Sequence, residues 1–210
     1  MPTRPGPLQN RVTPFGEIVA VPERGMFTGN RGIIHDAATR TLSGRRWTTK
    51  GWIVCVCEFR GRRRELMSPG SWTELFFLDE ATALAAGHRP CFYCRRADAR
   101  AFQAAWAAGK GTGLPRAPEM DAVLHGERLK WRTRQLHPLP APVPELPDGT
   151  MVAAGGDAYL IQRGRPWRWS FAGYRPGGPE GGFDALVTPP STVAALGAGY
   201  RPVLHPSVAV

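Results

Sequence analysis

The sequence predicts an α+β fold of small antiparallel sheets and short helices. Three observations predict it. Glycine (25) and proline (21) are frequent and divide the chain into short segments. Apolar residues make up 42% of the chain, enough for a real core. Segments with period-two alternation or β-branched runs occur on both sides of Ala-rich stretches.

The elements follow in order. Residues 1–13 read as a loose arm. Phe15–Val21 reads as a strand ended by Pro22. Met26–Asp36 is glycine-rich and reads as irregular. Trp52–Phe59 is a strong strand. Arg60–Arg64 reads as a turn into a return strand ending near Met67, a hairpin with an arginine-loaded tip. Trp72–Leu78 is a third strand. Asp79 can cap a helix from Glu80 to about Ala86, with Gly87 as its left-handed stop. A second helix spans Arg95–Ala108 before Gly109, and a third spans Ala117–Trp131. Residues 137–149 are proline-dense and read as an extended linker. Thr150–Ala153, Ala158–Gln162 and Trp167–Phe171 read as short strands. On the last, Trp167, Trp169 and Phe171 share a face, either a core stripe or a stacking platform. Thr188 and Pro189 open a final helix ending at Gly199. Its exit, Ala195–Pro202 (ALGAGYRP), echoes Ala83–Pro90 (ALAAGHRP) at six of eight positions.

Charge divides the chain differently. Residues 1–134 hold 22 Lys and Arg against 12 Asp and Glu, while residues 135–210 hold 5 of each. The organisation expected is a basic, zinc-binding, nucleic-acid-binding half (1–136), the linker (137–149) and a small β-rich half with a terminal helix (150–210). Lysine occurs only at 50, 110 and 130. Arginine makes bidentate contacts with phosphate, so the partner expected is DNA, with RNA as the other acceptor of the same charge. Arg60, Arg62, Arg63, Arg64, Arg95 and Arg96 are the candidate phosphate contacts. No apolar run approaches a membrane span, and the N-terminus lacks the apolar core of a signal peptide, so a cytoplasmic protein is expected.

Four cysteines in that compartment favour metal or free thiols over disulfides. Cys91 and Cys94 form a Cys-x-x-Cys pair. Cys55 and Cys57 lie two apart on one strand, about 6.5–7 Å from each other in a regular strand, too far for both to bind one zinc without a bulge. Cys55, at the strand centre, is the third candidate ligand. His35 is the candidate fourth, with Cys57 as its alternative. Four buried metal-free cysteines remain the competing arrangement.

Phe76–Cys94 (FFLDEATALAAGHRPCFYC) resembles the zinc-binding module of the Ada family of DNA alkylation-repair proteins. The resemblance covers less than a fifth of the chain. It implies zinc at Cys91 and Cys94 and contact with DNA backbone, hence a place in DNA repair or processing. The family takes its other two ligands from a Cys-x-x-x-Cys loop, where this chain has Cys-x-Cys. No methyl-accepting cysteine is therefore carried over.

Catalytic candidates concentrate in Met120–Trp131 (MDAVLHGERLKW). At helical spacing Asp121, His125 and Arg128 share a face, and a His beside a carboxylate is a potential general base. Glu127 falls on the apolar side, where it needs a partner or a raised pKa. These residues would serve a nuclease or glycosylase, the alternative to a DNA-binding module. A non-catalytic interaction protein with structural zinc is the third reading. Phosphate-loop, dinucleotide-binding, zinc-protease and serine-hydrolase motifs are absent.

Overall fold

The structure, a computed structural model, describes residues 6–61, 65–131 and 133–208. In chain order its first part carries strands β1 (Gln9–Val12), β2 (Ile18–Ala20), β3 (Phe27–Asn30), β4 (His35–Asp36), β5 (Thr41–Leu42), β6 (Ile53–Val56) and β7 (Leu75–Phe77). Helix α1 (Glu80–Ala85), β8 (Arg89–Pro90), α2 (Arg96–Lys110) and α3 (Ala117–Arg128) follow. The second part holds β9 (Leu129–Lys130), β10 (Thr133–Arg134), β11 (Met151–Ala154), β12 (Asp157–Gln162), β13 (Arg165–Ser170), β14 (Gly173–Pro176), β15 (Ala185–Leu186) and α4 (Pro190–Gly197). The class is α+β. Among the described residues no helix is long and apolar enough to cross a membrane.

A six-stranded mixed sheet has the order β2-β1-β7-β3-β6-β8, and a five-stranded antiparallel sheet has the order β14-β13-β12-β11-β15. Helix α1 lies at their junction, and all six of its residues are buried. Ala83 and Ala86 pack into the core of the first sheet with Val54, Leu75 and Phe77. Ala81 and Ala85 join Met151, Leu160 and Tyr174 beneath the second. Leu84 meets Phe102, Met120 and Leu196 from α2, α3 and α4. Alanine suits a helix enclosed on every side, because it fills little volume and loses no side-chain entropy.

Asp79 caps α1 as the sequence indicates, accepting from Thr82 N at 2.9 Å. Gly87 at φ 85° closes the helix. Its N–H donates to Leu84 O and that of His88 to Ala83 O. The echo in α4 repeats this closure, with Gly199 N to Leu196 O and Tyr200 N to Ala195 O. Both are Schellman closures, so the shared octapeptide encodes one backbone shape twice.

Several elements differ from expectation. The expected loose arm contains β1, which pairs with β2 and β7. The expected irregular Met26–Asp36 contains β3, which is buried at every position and pairs with β6 and β7. Gly29 hides this strand, since glycine usually weakens one. Here a Cβ at Gly29 would stand 2.2 Å from Ile53 O, so close strand approach requires it. Strand β6 pairs with β3 and β8 rather than with a hairpin return. The expected linker holds a 3-10 turn at Val143–Glu145, and Leu146 is buried. Trp167 and Trp169 pack against the core beneath the second sheet, and Trp169 Nε1 donates to Thr82 Oγ1 at 3.1 Å.

Candidate metal centre

The ladder between β6 and β8 assembles the cysteines. These strands run parallel, with Ile53 opposite Arg89 and Val54 opposite Pro90. Extending that register by one step sets Cys55 beside Cys91, and Cys91 N donates to Val54 O at 3.0 Å. The chain then turns through Phe92 and Tyr93, and Arg95 N bonds back to Cys91 O at 3.0 Å. That turn returns Cys94 to the same point before α2 begins. The sulfurs of Cys55, Cys91 and Cys94 all lie within 4.8 Å of one another, a group able to hold a metal ion. Ligands on a common tetrahedral zinc, with bonds of about 2.3 Å, sit about 3.8 Å apart, so the three sulfurs fit such an ion.

The donors are chemically prepared. Tyr93 N–H points at Cys91 Sγ, 3.4 Å away. Hydrogen bonds from Cys55 and Cys94 to the Cys91 sulfur hold its thiol far below its ordinary value. Hydrogen bonds to Cys91 and to Cys94, and then burial, push Cys55 up. A metal is ligated by thiolates rather than thiols, so a cation binding here displaces their protons.

The site opens onto a cavity of about 310 Å³ whose walls include Phe59, Trp72, Phe76 and Tyr93. Glu74 also lines it. One carboxylate oxygen of Glu74 accepts from Met67 N at 2.8 Å, and the other is buried with no partner. Arg60 stands near this region, its guanidinium 5.1 Å from the Phe59 ring and 5.9 Å from that of Tyr93. Tyr93 itself is 59% exposed.

His35 does not join the cluster. Strand β3 sets Thr28 opposite Cys55 and Asn30 opposite Ile53, so the chain runs away from the sulfurs before it reaches His35. His35 is buried on β4, with Nδ1 2.7 Å from Thr73 Oγ1. Cys57 also stands apart, exposed and donating its thiol to Met26 O at 3.4 Å.

Arg95 is corrected as a phosphate contact. Its side chain is 2% exposed and donates from both terminal nitrogens to Glu80, at 2.8 and 2.9 Å, while Nε reaches Asp98 at 3.0 Å. Placing Arg95 before α2 turns it back onto buried Glu80, which also accepts from Tyr200 Oη at 2.6 Å. Arg96 and Arg60 are exposed. Arg62, Arg63 and Arg64 lie outside the described residues.

The catalytic candidates do not converge. Asp121 is buried and accepts both ends of a bidentate pair from Arg89 at 2.8 Å. Glu127 caps α4, accepting from Ser191 N at 3.1 Å and Ser191 Oγ at 2.5 Å. His125 Nδ1 sits 3.1 Å from Arg128 Nη2, and its ring meets Trp47 edge-on. Burial first, then Arg128 and Lys50, lower its pKa.

Helix α3 ends at Arg128, before the expected limit. The chain then reverses between β9 and β10, with Trp131 at φ 52° and 90% exposed. Sequence periodicity places Trp131 on an apolar helix face. The Leu-Lys and Thr-Arg strand pair around it is too short to register as a ribbon in advance.

No family model, curated protein or solved structure matches the chain.

Proposed function

We propose that this chain is a zinc-binding protein that engages DNA through its basic half, in repair or processing of the strand. The observation that carries the reading is the three-sulfur cluster of Cys55, Cys91 and Cys94. Thiolates select zinc among the common divalent ions, and a closed or three-ligand zinc site links distant strands with folding energy. Three protein sulfurs leave a fourth position, and the adjoining cavity gives it room.

Support for a nucleic-acid partner comes from exposed cations and rings, some of them beside this centre. Arg60 is exposed beside the aromatic pair Phe59 and Tyr93, whose rings lie 5.1 Å apart. Arg96 and Arg100 are exposed along α2. Trp131 adds a bare indole beside exposed Lys130. Cations with uncovered rings are what a strand needs for phosphate contact and base stacking.

Two measurements on the intact protein test the reading. Metal analysis should return about one zinc per chain, lost in Cys91→Ser, and a chelator should lower the melting temperature. Metal-free protein with chelator-insensitive melting would overturn the zinc centre. DNA affinity should fall steeply as salt rises, from counterion release, and Arg60→Ala with Arg96→Ala should flatten that slope. Absent or salt-independent binding would overturn the DNA reading.

A further inference from the structure

Three arginine side chains enter the molecule with no carboxylate among the described residues bonded to any of them. Arg31, just after β3, is 2% exposed, and Arg128, ending α3, is 1% exposed. Arg31 donates to Gly16 O at 2.9 Å and to His88 Nε2 at 3.3 Å. Arg128 donates to Gly87 O at 2.8 Å and Lys50 O at 2.6 Å. Half-buried Arg134 donates to Ala85 O at 2.6 Å and Val187 O at 2.5 Å. The guanidinium carbons of Arg31 and Arg128 lie 4.0 and 3.8 Å from the ring of Trp52.

Each of the three keeps one buried nitrogen without a partner among the described residues: Nη2 of Arg31, Nε of Arg128 and Nε of Arg134. The same three arginines, joined by exposed Arg46, line one cavity of about 460 Å³. Among its lining residues Glu17 is the one carboxylate, and it is exposed. Gly16 borders the cavity at φ 83°, and a Cβ there would stand 3.5 Å from the unpartnered Arg31 nitrogen.

Elsewhere in the molecule a buried arginine has its carboxylate: Arg89 has Asp121 and Arg95 has Glu80. Asp121 lends Arg128 some attraction, but both its oxygens are taken by Arg89. The carbonyls that end α1 offset part of the charge, roughly half an elementary charge for a helix end. That leaves most of three cationic charges uncompensated, an arrangement that is costly when buried. Burial first, then Arg128 and Arg134, lower the pKa of Arg31. Burial brings Arg134 down to about 10.

We propose that this cavity is a binding site for a phosphate monoester. Four guanidinium groups around one space suit a dianion, and their planar forks match the spread of tetrahedral oxygens. Phe15, Ile18, Trp47 and Trp52 supply apolar walls for the organic group that carries the phosphate. The ester is either a free small molecule or the phosphorylated terminus of a nucleic-acid strand. The site is separate from the cysteine cluster, and its first test needs neither metal nor nucleic acid.

The probe is inorganic phosphate, titrated calorimetrically into the full chain and compared with chloride at equal ionic strength. Saturable binding and a phosphate-specific rise in melting temperature are expected. Arg46→Glu, at the exposed mouth, should weaken binding at least tenfold and leave melting in phosphate-free buffer unchanged. No phosphate-specific shift, or undiminished binding by Arg46→Glu, overturns the proposal. A second arm compares a nucleoside 5′-monophosphate with short oligonucleotides bearing a 5′-phosphate or a 5′-hydroxyl. Preference for the phosphorylated oligonucleotide, abolished by Arg46→Glu, assigns the site to a strand terminus. Equal binding of the two oligonucleotides, with the mononucleotide saturating the site, assigns it to a free ester.

Discussion

Arg95 and Arg96 are adjacent in sequence and opposite in circumstance. One is sealed against Glu80, and the other is in solvent. Composition assigns both the same charge, so a count of cations cannot tell an internal fork from a surface contact. The thiols were more legible. Cys-x-x-Cys fixes its own turn, and a third sulfur from the centre of a strand follows from pleat geometry. That His35 stays out of the cluster was not legible, because the path from β3 to β4 depends on strands that the sequence does not announce. Asp121 illustrates the same point among acids. Its helical spacing to His125 suggests a catalytic pair, whereas a partner distant in sequence, Arg89, takes both oxygens. Asp121→Asn should destabilise the protein by about 3–5 kcal/mol by leaving Arg89 buried without its counter-charge. Replacing both partners with apolar residues should recover much of that loss. Urea unfolding of the single and double variants checks this, and equal losses for both would contradict it.

At the scale of elements, helix positions were readable and their ends less so. Gly109 reads as the stop of α2, yet the helix continues to Lys110 and Gly111 caps it at φ 61°. Gly109 is needed for a different reason. A Cβ there would fall 2.2 Å from Ala194 O, so α4 lies directly against the α2 backbone. Gly109→Ala should therefore destabilise the fold by about 1–3 kcal/mol through overpacking, although alanine favours helix by about 1 kcal/mol at an open position. Gly126, inside α3 with nothing near its Cβ position, is the control and should accept alanine without loss. Melting temperatures of the two variants decide between propensity and packing. Strands fared worse than helices. β1 and β3 carry Asn, Thr and Gly at inward positions, which conceals the alternation that betrays a strand.

At the scale of the whole molecule, the charge boundary near residue 134 is not a packing boundary. Leu78 and Ala81 share a core with Met151, Leu160 and Tyr174. Asp79 bonds Tyr174 Oη at 3.1 Å and His205 N at 3.1 Å, and Glu80 accepts from Val203 N at 2.9 Å. The proline-dense segment looks like a linker because composition reports stiffness and polarity, not what the chain packs against. Residues 1–149 alone should fail to fold, since removing the rest uncovers two sides of α1. The full chain should unfold in one transition, with far-ultraviolet and near-ultraviolet dichroism changing together in urea. Two resolved transitions would show independent halves instead. The indole at the β9–β10 reversal has an optical consequence. Of seven tryptophans, Trp52 and Trp106 are buried, while Trp131 stands 90% in solvent. Its emission lies at the red edge of the protein's fluorescence and is the part most open to collisional quenchers. Light collected there is weighted toward the water around that residue, so a molecule settling over that tip dims the red edge more than the blue emission of the core.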